Sequence, residues 1–156
     1  MTIRKATVKD LDVLIDITHK IMLDGEAAGF PAVIAPTKQN ASLLCSMMVH
    51  PGIVAGDPVL LAEENGVVIG AVVVLIRRGA ITLTKPSAYS NGWWIEPAFR
   101  NRGIISQLLD EAERLLRTEG IVIWEEFISI GNSIPESVAE KRGFKCAMRI
   151  WHKNLT

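Results

Sequence analysis

The stretch Trp93 to Leu109, WWIEPAFRNRGIISQLL, holds the residue types best suited to chemistry in this chain. An aromatic, apolar run ends at Ile95, and Glu96-Pro97 breaks it. Arg100, Asn101, Arg102 and Gly103 then make a basic, glycine-containing loop, and Ile104, Ile105 and Ser106 open a strongly amphipathic segment. The first turn of a helix exposes N–H groups that have no intrahelical acceptor and carries the positive end of the helix dipole. Two arginines beside such a turn make a cradle for a phosphate or pyrophosphate. A glycine and a basic residue at a strand–helix junction also serve packing and solubility, so the loop alone leaves both readings open.

Local patterns give the elements that must position this loop. Thr2–Ala6 reads as a strand, and Thr7 with Asp10 forms a capping box for a helix whose apolar stripe includes Leu11, Leu14, Ile15, Ile21 and Met22. Asp24-Gly25 is its expected end, and Glu26–Pro36 a loop. Thr37 caps a second helix with Ala41, Leu44, Cys45 and Met48 on one face, stopped by His50-Pro51-Gly52. Pro58–Glu63 and Val67–Ile76 are strands joined by Asn65-Gly66, a dipeptide that tolerates the positive φ of a two-residue hairpin. Ala88–Ile95 is a further strand, with Gly92 inside it marking a bulge or a close backbone approach.

The best helix follows the loop, with Ile104, Ile105, Leu108, Leu109, Ala112, Leu115 and Leu116 as its stripe and Gly120 as its stop. Ile121–Ile130 reads as a strand, Ser133 caps a short helix that Gly143 ends, and the alternation from Phe144 to Ile150 predicts a last strand. The order β-α-α-β-β-β-α-β-α-β defines an α/β (α+β) chain.

Composition narrows the function classes. The 156 residues suit one domain, 1–156, with one core. Seventeen basic and seventeen acidic side chains sum to zero, so no global field draws the chain to nucleic acid or an anionic membrane. The longest apolar run, Val67–Ile76, is too short to span a bilayer. Cys45 and Cys146 read as small core residues, and with His19, His50 and His152 they are dispersed, so no metal site is expected. No apolar leader follows Met1, and the expected setting is reducing and cytoplasmic.

Strand, proline, Arg-x-x-Gly and helix together resemble the acyl-CoA motif of the GNAT (GCN5-related N-acetyltransferase) family, roughly Val-x-Pro-x-x-Arg/Gln-x-x-Gly-x-Gly/Ala. Ile95, Pro97, Arg100 and Gly103 match it. Asn132 and Val138–Phe144 resemble the family's second motif, Asn-x-x-Ala-x-x-Phe-Tyr-Glu-Lys-x-Gly-Phe, and Ile3–Thr7 with Asp10 resembles its first strand and helix start. The resemblance covers nearly the whole chain. It implies a central, mostly antiparallel twisted sheet flanked by helices, and direct transfer of an acetyl group from acetyl-CoA to a primary amine of a small molecule or protein. It further implies that residues Arg100 to Ser106 bind the CoA pyrophosphate through backbone N–H groups. Trp94 and Ile95 then lie near the thioester and pantetheine, and Asn132 touches the pantetheine arm. A homodimer is left open.

Two positions depart from the family pattern. Ile105 stands where a second Gly or Ala is usual, and either restricts approach to the phosphate or points into the core. Ala139 aligns with the usual tyrosine, which protonates the leaving thiolate, and alanine donates no proton. Glu96, Glu125 and Glu126 are candidate bases; Glu125 and Glu126 are adjacent on a strand, so one at most faces the slot, and Glu126 is the candidate carried forward. Tyr89, the only tyrosine, either lines the acceptor slot or is a half-buried strand aromatic. Asp24 and Glu26 offer charge to a cationic amine. The alternatives are a catalytically weak acyl-CoA-binding or protein-interaction module, motivated by Ala139 and Ile105, and a scaffold that has lost CoA binding.

Overall fold

The computed structural model describes residues 1–27, 34–78, 85–128 and 133–146. Five strands form one sheet in chain order: β1 (Thr2–Lys5), β2 (Val59–Glu64), β3 (Val67–Ile76), β4 (Ser87–Ile95) and β5 (Ile123–Glu125). The first three pairings are antiparallel and only β4–β5 is parallel. Helices α1 (Leu11–Ala27), α2 (Lys38–Leu44) and α3 (His50–Ala55) sit in the first half of the chain, and α4 (Ile104–Thr118) and α5 (Ser133–Lys141) in the second.

The apolar run of β3 has a structural reason: both faces of the sheet are covered. Leu60, Ile69, Val72 and Val74 pack with Ile104, Leu108, Ala112 and Leu116 of α4. Leu61, Ala71, Val73 and Leu75 pack on the other face with Leu14 and Ile17 of α1 and with Cys45 and Val49. A strand buried on both faces reads as continuous hydrophobicity rather than alternation. The Asn65-Gly66 turn is as expected, with φ of 53° and 77° at its two central residues.

The helix ends differ from the sequence reading. Helix α1 continues through Asp24-Gly25 to Ala27, because Gly25 does not take the left-handed conformation that terminates a helix. The second helix does not stop at His50-Pro51-Gly52. A π turn at Cys45–Val49 widens the ladder just ahead of Pro51, which then occupies the first turn of α3, where its missing N–H costs nothing. Gly56, at φ 82°, makes the true stop. Of the expected strand 121–130 only Ile123–Glu125 is a strand, and residues 129–130 lie outside the described residues. Phe144–Cys146 are not in a strand, Cys146 is exposed rather than core, and the rest of the expected last strand lies outside the described residues.

The N-terminal junction is tied by charge. Asp10 accepts the Thr7 N–H at 2.7 Å and a bidentate pair from Arg4 at 2.8 and 3.0 Å, while Arg4 Nε donates to Glu63 of β2 at 2.9 Å. These bonds hold the Asp10 carboxyl well below the usual carboxylate range. A depressed carboxyl stabilises the fold above its unfolded pKa and loses that effect as pH falls through the folded value. Asp10→Ala is therefore expected to cost about 1–2 kcal/mol at pH 7 in thermal unfolding, with the difference shrinking as the solution is acidified below pH 4 or so.

Candidate active site

The site is organised by β4. Its register with β3 slips between Val73, opposite Gly92, and Val74, opposite Ser90, leaving Asn91 as an extra residue. This bulge reverses the strand's alternation. Ala88 and Trp93 face α4, whereas Tyr89 and Trp94 face α1. Gly92 carries the bulge at φ 130°, and a Cβ there would lie 3.2 Å from Ile21 Cδ1 of α1. The position demands glycine for backbone and for space.

Beyond β4 the chain makes a short 3-10 turn, Pro97–Phe99, and then the basic loop. Asn101 and Gly103 both adopt left-handed conformations, at φ 61° and 71°, which turn the chain sharply into α4. Gln107 N–H closes the first turn on Gly103 O at 3.2 Å, so the N–H groups of Ile104, Ile105 and Ser106 open the helix. Ile104 is buried and Ile105 packs against the same core cluster, so the branched side chain at 105 turns inward rather than across the loop.

Both arginines already hold carboxylates. Arg100 donates from Nε to Ile95 O at 3.1 Å, lies 3.6 Å from Asp24 of α1, and stacks 4.9 Å over Trp94. Arg102 pairs with Glu64 at 2.8 Å and stacks 5.1 Å over Phe99. An incoming anion must share these cations with Asp24 and Glu64. Trp94 is buried under the end of α1, and among the described residues its indole N–H has no partner. Asn132 lies outside the described residues.

The sheet separates the three candidate catalytic residues. Glu96 is ion-paired with Lys20 of α1. Tyr89, also on the α1 face, lies under the Arg77 guanidinium at 5.0 Å and edge-on to Phe127 at 6.1 Å. Glu126 is on the α4–α5 side, lining a small cavity that it shares with Trp93, Val138, Ala139, Arg142 and Phe144. Glu125 points the other way and pairs with Arg77. Ser90 donates to Glu126, and Trp124 Nε1 donates to Ser90 at 2.9 Å. Burial pushes the Glu126 carboxyl up to about 7, and the hydrogen bonds from Ser90 and Trp93 only partly offset this. Sequence reasoning missed Ser90, Trp124 and Lys20. Their partners are 34 to 76 positions away, and no local spacing signals such contacts.

The β4–β5 pairing covers only Ser87–Tyr89 against Ile123–Glu125. From Ser90 to Ile95, among the described residues, β4 runs on with that edge unpaired by a strand, ending at the basic loop. Six residues of extended chain span roughly 15–20 Å. The result is a parted strand edge with the basic helix turn at one end and Ser90, bonded to Glu126, at the other. Among the described residues no group of three or more His, Cys, Asp or Glu is placed to hold a metal ion, and no helix is long and apolar enough to cross a membrane.

A parted sheet with a glycine-turned helix start defines a known class of fold. A profile of the Acetyltransferase (GNAT) family matches residues 39–144, more than half of the chain, and the chain belongs to that family. No curated protein matches it. Among solved structures it is similar to a predicted acetyltransferase with acetyl-CoA from Clostridium acetobutylicum, at 21% identity and a TM-score of 0.75, covering 99% of this chain and 96% of that one. It is similar to the aminoglycoside 6'-N-acetyltransferase AAC(6')-IG from Acinetobacter haemolyticus, at 19% identity and a TM-score of 0.69, covering 100% and 99%. The third is AAC(6')-Iy in complex with a bisubstrate analogue, at 20% identity and a TM-score of 0.70, covering 99% and 97%. At these identities the likeness is one of fold.

The buried carboxyl has a measurable cost. A carboxyl raised to about 7 from an ordinary 4.5 binds more protons folded than unfolded, so it weakens the fold as pH rises through that window. Glu126→Gln keeps an acceptor for Ser90 and removes the charge. It is expected to be more stable than the parent at pH 8, by at most about 3 kcal/mol in denaturant unfolding, and equal to it at pH 4.

Proposed function

We propose that this chain is an N-acetyltransferase that moves an acetyl group from acetyl-CoA to a primary amine by direct attack in a ternary complex. The observation that carries this reading is the edge of β4 from Ser90 to Ile95, without a strand partner among the described residues, leading to the helix turn at Arg100–Ser106. A long ligand with a diphosphate at one end and a thioester at the other fits a slot with that polarity. The N–H groups of Ile104, Ile105 and Ser106, with Arg100 and Arg102, meet the diphosphate. The backbone at Trp94 and Ile95 accompanies the extended arm, and a β4 N–H polarises the thioester carbonyl. Ile105 leaves the phosphate approach open because its side chain packs inward.

The amine enters from the α1 side. Asp24 offers charge to a cationic acceptor, and the orphaned Trp94 N–H offers a donor to an acceptor oxygen. Glu96 and Tyr89 line this side, each held by a cation, Lys20 and Arg77. The aminoglycoside acetyltransferases among the similar structures make polycationic amino sugars a first class of acceptor to assay. A second reading, binding of acyl-CoA without efficient turnover, is favoured by Ala139, which places a methyl group where the family pattern has a phenol.

Two measurements test these readings. CoA is expected to raise the melting temperature, and Arg100→Ala to weaken CoA binding about tenfold, the effect of one charge-assisted contact. Thiol release from acetyl-CoA with a panel of amines is expected to detect turnover. A CoA shift with no thiol release for any amine selects the second reading, and the absence of both rejects the site.

A further inference from the structure

The parted edge of β4 begins at a bond between side chains. Tyr89 and Glu125 form the last backbone pair of β4 and β5. Ser90 and Glu126, one step further on each chain, are joined instead through the Ser90 hydroxyl, which donates to the Glu126 carboxyl. Trp124 Nε1 donates to Ser90 Oγ at 2.9 Å, and the Trp93 indole N–H donates to Glu126. Ser90 is buried, and Trp124 packs on the α4 core cluster and edge-on to Phe144 at 5.3 Å. The bond thus crosses from β4 to the chain after β5 where the strands part, as a rung made of side chains. Past it β4 bulges at Asn91. On its α4–α5 side lies the small cavity lined by Glu126, Val138 and Ala139, where Ala139 contributes only a methyl group.

We propose that the Ser90–Glu126 rung is the floor of the acyl slot and limits the donor thioester to short acyl groups, acetyl and propionyl. This rests on the acetyltransferase reading above. Length is the first argument. The edge from Ser90 to Ile95 spans roughly 15–20 Å, and an extended pantetheine arm is of similar length, roughly 15 Å by ordinary bond lengths. With its diphosphate on the α4 turn, the ligand therefore brings its acyl end toward Ser90. Polarity is the second. A longer chain reaches the rung and has to part it, leaving a carboxyl, a hydroxyl and indole N–H groups without partners. An apolar chain offers them nothing in exchange. Ser90 and Glu126 are thus specificity-determining residues, and Trp124 is a positioning residue that orients the Ser90 hydroxyl.

The test measures binding, so it needs no amine. Calorimetry on the full chain compares CoA, acetyl-CoA and hexanoyl-CoA. The parent protein is expected to bind acetyl-CoA at least about tenfold more tightly than hexanoyl-CoA. Glu126→Ala, which joins the slot to the cavity, is expected to bring the two within about threefold of each other. Ser90→Ala is expected to narrow the gap in the same direction, and it carries the test if Glu126→Ala does not fold. Glu126→Gln, whose amide oxygen still accepts the Ser90 hydroxyl, is expected to keep the parental ratio. A variant that is only less stable weakens both ligands alike and leaves the ratio where it was. A folded Glu126→Ala or Ser90→Ala with the parental ratio overturns the proposal. A parent protein that binds none of the three ligands overturns the acetyltransferase site and the floor together, whereas one that binds acetyl-CoA and hexanoyl-CoA equally well overturns the floor alone.

Discussion

The parting of β4 from β5 is the constraint on which the site depends. Three residue pairs hold the two strands in parallel, and beyond them, among the described residues, β4 continues to Ile95 without a strand partner on that edge. An unpaired strand edge in a buried sheet is costly unless something satisfies its backbone groups. Here the edge leads directly into a turn whose own N–H groups also lack intrahelical partners. The two sets of backbone groups lie end to end, so a linear ligand rich in acceptors could meet both. The fold supplies this without any catalytic side chain, which is why the family's chemistry begins with where a strand stops pairing.

The bulge at Asn91–Gly92 decides what faces the slot. By reversing the alternation of β4 it sends Trp93 to the α4 face and Trp94 to the α1 face. Without it, those side chains would exchange faces, and Trp93 could not reach Glu126. The bulge also brings the β4 backbone against Ile21, so α1 packs on the strand at the point where it bends. One residue too many in a strand therefore fixes both which side chains face α1 and the environment of the buried carboxyl.

Electrostatics divide along the same line. On the α1 side every candidate group is compensated: Glu96 by Lys20, Arg100 by Asp24, and Tyr89 under Arg77. On the α4–α5 side Glu126 has hydrogen-bond donors but, among the described residues, no ion pair, and Arg142 is committed to Asp110 and Glu113. A buried carboxyl held by neutral donors rises in pKa, as Glu126 does. Two glutamates near one strand thus have different partners, a lysine for Glu96 and neutral donors for Glu126.

Much of this protein is local and therefore written in its sequence. The Asn65-Gly66 hairpin, the Thr7–Asp10 capping box, the stripe of α4 and the glycine-bearing turn before it depend on residues within a few positions of one another, and they are as expected. The family motif was readable for the same reason, since a strand, a turn and a helix start are consecutive. Helix ends were less legible: Gly25 and Pro51 are strong breakers, yet α1 runs past the first, and a π turn ahead of the second lets the chain continue into α3. The direction taken by Ile105, the separation of Tyr89 and Glu96 from Glu126, and the Trp124–Ser90–Glu126 chain were decided only by tertiary structure. They depend on the phase of a bulged strand and on which elements share a cavity, and contacts between residues dozens of positions apart leave no periodic trace in the chain.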